Sequence, residues 1–140
     1  MIRTKNVSEC WWGFAEPINI ASINRKDEIP SGKIKGLSIT NVRCKGEGSI
    51  YIAGKDSAPI EDLTLNNIRL ELEKTTKYPI KGYDFRPCCG PDFQEGKING
   101  IYVKNVKNVK AENLEVTVHD NMKEWVDKEI CFENAVVKEK

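Results

Sequence analysis

The sequence predicts an all-β protein wound as a parallel β-solenoid, and three observations predict it. A template of apolar, two residues, apolar, one residue, apolar, one residue, Asn, apolar recurs along the chain. It runs Ile34, Leu37, Ile39, Asn41, Val42, then Ile60, Leu63, Leu65, Asn67, Ile68, then Val106, Val109, Ala111, Asn113, Leu114. Apolar residues alternate with a period of two after each asparagine, which is the strand signature. Strands of this length repeating every 20-odd residues without crossover helices suggest stacked coils. An antiparallel sandwich or barrel is the alternative; it accounts for short strands but not for aligned asparagines.

In chain order, Asn6-Val7 reads as the stub of an earlier turn, followed by Cys10-Trp11-Trp12-Gly13-Phe14. Pro17-Ile18-Asn19-Ile20 opens a second column of likeness with Gly48-Ser49-Ile50-Tyr51-Ile52 and Gly100-Ile101-Tyr102-Val103. Val42 and Cys44, then Ile68, Leu70 and Leu72, then Leu114, Val116 and Val118 continue the alternation. Ile130, Phe132, Asn134 and Ala135 form a weaker copy of the asparagine template, with Asp127 in its first apolar position. The asparagine steps are 26, 46 and 21 residues, so the middle one is two average steps or one step with an insertion.

Stacking places equivalent residues about 4.8 Å apart on successive coils. Apolar columns then fill the interior, and corner asparagines ladder amide to amide. Asparagine also tolerates the left-handed backbone of a sharp corner. The pattern breaks over 74–99, which holds Pro79, Pro87, Pro91 and four aromatics. A structureless loop of that length is uncommon, so it is expected to fold against the side of the stack. A smaller excursion, 119–129, carries Trp125.

Composition excludes several partners. The chain has 140 residues, with 22 Lys and Arg against 21 Asp and Glu, so no strong field draws it to nucleic acid or an anionic membrane. No apolar run reaches the roughly 20 residues that span a bilayer, and Met1-Ile2-Arg3-Thr4-Lys5 leads into no signal-peptide core. The five cysteines form no CxxC pair, which argues against zinc, and an odd number cannot all pair. Cys44 and Cys131 read as buried small hydrophobes; Cys88-Cys89, adjacent in a loop, are reactive or inert. No metal or cofactor is expected.

Taken together, Trp11-Trp12-Gly13 with Glu16-Pro17-Ile18, then Gly32 to Cys44, Ala58 to Ile68, and Tyr83-Asp84-Phe85-Arg86-Pro87-Cys88 resemble the C-terminal coils of glycoside hydrolase family 28. These are the polygalacturonase-like, pectin-degrading enzymes. The resemblance covers nearly the whole chain in order. It implies a right-handed parallel β-helix of the pectin lyase type, here truncated to about four or five coils and forming one domain with a loop insertion at 74–99. It also implies a secreted or periplasmic bacterial setting and a galacturonate-containing polysaccharide or oligosaccharide as ligand.

The family's Asn-Thr-Asp, Asp-Asp and Gly-His-Gly motifs do not occur here, so no catalytic residue is assigned. Inversion at a glycosidic bond needs an acid and a base on opposite faces of the sugar. Arg3-Thr4-Lys5 matches the letters of the family's Arg-x-Lys motif but not its register, and the single histidine, His119, lies near the wrong end. Glu61-Asp62 reads as a solvated face, because Lys35-Gly36 fills the same position one copy earlier. Lys55 and Asp56 read as solvated turn residues.

The expected substrate wall is Trp11, Trp12, Glu16 and Arg25, with rings against pyranose faces and charges orienting carboxylates or hydroxyls. Tyr83, Asp84 and Arg86 extend that wall from the long loop, with Tyr83 exposed; an Asp84–Arg86 pair that only braces the loop is the alternative for those two. The leading expectation is a non-catalytic C-terminal part of a pectic glycoside hydrolase. A stand-alone carbohydrate-binding or structural solenoid is the alternative, as is self-association through an uncapped N-terminal coil edge.

Overall fold

A computed structural model describes residues 16–22, 32–54, 60–84 and 93–138. Strands β1 (Ile18–Ser22), β2 (Ile34–Lys35) and β3 (Ser38–Gly46) make the first level. The second is β4 (Ile50–Gly54) with β5 (Ile60–Leu72). After an interruption holding β6 (Gly82–Asp84) and β7 (Phe93–Glu95), the third level is the long, cornered β8 (Ile101–Val118). A short 3₁₀ helix, Asp120–Trp125, leads to the fourth level, β9 (Ile130–Lys138). Among the described residues every pairing between levels is parallel, and only the hairpin of β6 and β7 is antiparallel.

The register follows from side-chain identity. Ile18 lies beside Ile50, Ile50 beside Ile101 and Ile101 beside Ile130; two residues on, Ile20, Ile52, Val103 and Phe132 form the next column. On the other faces Ile34, Ile60 and Val106 align, as do Val42, Ile68 and Leu114, and Cys44, Leu70 and Val116. A one-residue slip would turn each column outward, so the apolar pattern locks the stack. The interior is sealed in the middle levels: Ile50, Ile52, Ile60, Leu63, Leu65 and Ile101 have no accessible surface. Each such side chain contributes roughly 1.5–3 kcal/mol by leaving water.

The corners are made by residues in the left-handed region. One corner column is Asn41, Asn67 and Asn113, at φ 57°, 54° and 55°. Asn67 Nδ2 donates to Asn41 Oδ1 at 3.0 Å, and Asn113 Nδ2 donates to Asn67 Oδ1 at 3.0 Å. A second column is Gly36, Asp62 and Asn108, at φ 75°, 56° and 60°, with Asn108 Nδ2 donating to Asp62 Oδ1 at 3.1 Å. Asp62 is therefore a corner residue rather than simply part of a solvated face. In the third column Asn134 Nδ2 donates to Asn105 Oδ1 at 2.7 Å, and Asn105 Nδ2 donates to the Gly54 carbonyl at 2.8 Å.

That third column corrects the expected alignment of the last copy. Asn134 stacks on Asn105, not on Asn113, because Ile130 and Phe132 continue the Ile101 and Val103 columns. The 46-residue step is one coil with an insertion, since Ile60 pairs directly with Val106. Cys44 is half-buried in an apolar column, whereas Cys131 lies beside Tyr102 on the outward side of its strand, and both thiols are free. Desolvation raises the Cys44 thiol above its ordinary value.

The insertion is anchored where it leaves the coil. Lys74 Nζ lies 2.7 Å from Glu47 Oε1, with both side chains largely shielded from water. The Thr75 and Thr76 hydroxyls each donate to the same carboxylate at 3.0 Å. Burial pushes the Glu47 carboxyl up, but these hydrogen bonds outweigh it and hold the group below the usual range.

Candidate functional site

Tyr51 and Tyr102 occupy one outward-facing column of the sheet formed by β1, β4, β8 and β9. An outward position is ordinarily wet. Here Tyr51 and Tyr102 are only 3% and 6% exposed because the insertion folds over them. Tyr83 of β6 stacks on Tyr51, with centroids 4.6 Å apart and planes at 30°. Tyr51 meets Tyr102 edge-on at 5.5 Å. Offset and edge-on arrangements suit the ring quadrupole, so the three rings form a small second core that fastens the insertion to the coil.

The Tyr83 hydroxyl is fully engaged. It accepts the Asn99 backbone N–H at 3.0 Å and lies 3.0 Å from Ser49 Oγ. Ser49 donates its own proton to the Asn99 carbonyl at 2.5 Å, so Tyr83 donates to Ser49. At the patch's rim Tyr102 donates to the Glu133 carboxylate, and Lys104 Nζ lies 3.8 Å from the same group.

Burial is the chief force raising all three phenols above their ordinary range. Nearby negative charge adds to it: Glu133 acts on Tyr51 and Tyr102, and Glu16 on Tyr51 and Tyr83. The phenols therefore stay protonated near neutral pH. They can donate hydrogen bonds or present ring edges, but they are not bases.

Of the residues expected to face a substrate, Glu16 and Tyr83 come together at this patch. Glu16 is half-buried just before β1. Tyr83 is not the exposed residue expected: it is 3% accessible, because its ring seals the insertion against Tyr51. Asp84 ends β6 opposite Phe93, and its side chain lies outside the described residues. Trp11, Trp12, Arg25 and Arg86 also lie outside them.

Sequence reasoning missed Tyr51, Tyr102, Ser49 and Glu133 as members of the patch. The signal was present in the second column, where Tyr51 and Tyr102 recur between apolar residues. An aromatic at an outward position asks for a cover. Among the described residues no group of three or more His, Cys, Asp or Glu converges to hold a metal ion. Compared with models of known families, with curated proteins and with solved structures, the chain matches none of them.

Proposed function

We propose that this chain supplies C-terminal coils of a polygalacturonase-like glycoside hydrolase of family 28 that acts on pectic polysaccharide. In this reading it contributes scaffold and part of the substrate wall, while the catalytic carboxylates reside on coils that carry the Asp-Asp and Gly-His-Gly motifs. The observation that carries the reading is the ordered set Trp11-Trp12-Gly13, Glu16-Pro17-Ile18, Gly32 to Cys44, Ala58 to Ile68 and Tyr83 to Cys88. Parallel stacking of Ile34–Cys44 on Ile60–Leu70, with Asn67 bonded to Asn41, supports it, because a parallel β-helix requires this register. Right-handed winding belongs to the proposal and accords with the strong preference of parallel crossovers.

Two measurements test it. Polygalacturonate incubated with this chain alone should release reducing sugar only at background rate, and release at enzymatic rates overturns the reading. Joining the chain to a family 28 enzyme deprived of its equivalent coils should restore hydrolysis. A soluble fusion that stays inactive also overturns it.

A further inference from the structure

The two segments that interrupt the repeat meet on the side of the coil. Ile98 forms a parallel bridge with Val126. The Ile98 N–H donates to the Trp125 carbonyl at 2.9 Å, and the Asp127 N–H donates to the Ile98 carbonyl at 2.8 Å. Their junction leaves an open cleft of about 400 Å³ with Ile80 and Trp125 as apolar lining and Lys81, Lys97, Glu95 and Glu124 as charged lining. None of these six belongs to the tyrosine patch.

Two properties distinguish the cleft. Trp125 is only half-buried, so part of a large indole faces the opening. The four charged side chains are exposed and form no ion pair among the described residues. Elsewhere charges on neighbouring levels do pair: Lys45 with Glu73 at 2.6 Å, and Arg69 with Glu115 at 3.6 Å.

We propose that this cleft binds one uncharged pyranose unit of a polysaccharide chain. A pyranose offers an apolar C–H face, which suits an indole, and a rim of hydroxyls that each donate and accept. Two ammonium donors and two carboxylate acceptors around one ring match such hydroxyls. Two ammoniums and two carboxylates carry no net charge, so a charged unit would give up hydration without net electrostatic gain, which favours an uncharged one. The polymer class rests on the pectic reading above; the cleft's preference for an uncharged ring does not.

The test titrates the full chain with tetragalacturonate and with its fully methyl-esterified, uncharged form. Calorimetry and the Trp125 indole N–H resonance provide the readouts. The ester should bind at least as tightly as the acid and shift that resonance. Trp125→Ala should weaken binding about tenfold, equivalent to roughly 1.4 kcal/mol. Because Trp125→Ala risks the local fold, Lys81→Gln combined with Glu124→Gln, both at exposed positions, provides a second arm and should weaken binding several-fold. Tenfold preference for the acid, or no binding of either tetramer, overturns the proposal. So does binding that all these variants leave intact, although that result leaves the pectic reading standing. Failure of the fusion experiment with retained ester binding removes the pectic reading and spares the cleft.

Discussion

Asn67 is the residue on which the corner column depends, because it both donates to and accepts from its neighbours. Its φ of 54° adds a second demand that most side chains meet poorly. These two contributions can be separated. Asn67→Gly removes the hydrogen bonds but relieves the backbone, and should cost about 1 kcal/mol. Asn67→Ala loses both and should cost about 2 kcal/mol. Urea unfolding of the two variants measures the difference, and equal losses would show that backbone conformation contributes nothing.

The tyrosines carry a second residue-scale prediction. Their pKa values are raised in the folded chain, so the associated stability is fully present below about pH 10, the unfolded value. It should be lost as pH rises above that toward the folded values. Phenolate absorbance followed to high pH should show Tyr51, Tyr83 and Tyr102 ionising together with unfolding. Their ionisation at the ordinary phenol pKa in an intact fold would contradict the buried cluster.

At the scale of elements, inner and outer faces obey different rules. Inward positions repeat the same kind of residue, since dispersion and burial reward stacked hydrocarbon. Outward positions favour opposite charge: Lys35 sits beside Glu61, Glu61 beside Lys107, and Lys45 beside Glu71. Like charges that close would repel, although Arg43 beside Arg69 departs from the rule, with Glu115 offsetting it from the next strand. Solvent screens these exposed pairs, so they guide register more than they supply stability.

Gly100 shows how tightly elements meet where the insertion rejoins the coil. A Cβ there would lie 2.4 Å from the Glu129 carbonyl oxygen and 2.7 Å from Val116 Cγ1. Gly100 also accepts from the Ile50 N–H and donates to Lys128, both at 2.9 Å. Gly100→Ala must therefore shift backbone, and should cost about 1–3 kcal/mol. Thermal denaturation reads this directly; an unchanged midpoint would mean that β9 can move away freely.

For the whole molecule, stability should be graded along the stack. Strand β5 is paired on both sides, by β2 and β3 below and by β8 above. Strand β9 pairs only with the first part of β8. Hydrogen exchange should find the slowest amides in β5 and the facing part of β8, with β1, β3 and β9 opening first. Uniform protection across all four levels would indicate a single cooperative unit instead.

The residues themselves determined the parallel stack, the corner asparagines and the placement of an insertion after Leu72. Each is written as a repeat, and a repeat needs only short-range stacking rules to be read. Tertiary structure alone decided the partner of Asn134, the burial of Tyr83 and the junction of the two interruptions beside Trp125. A weak final copy fits two registers equally well as text, and only the columns built by Ile101 and Val103 choose between them. Likewise, whether an outward tyrosine meets water depends on where a distant segment folds back, and no local periodicity encodes that path.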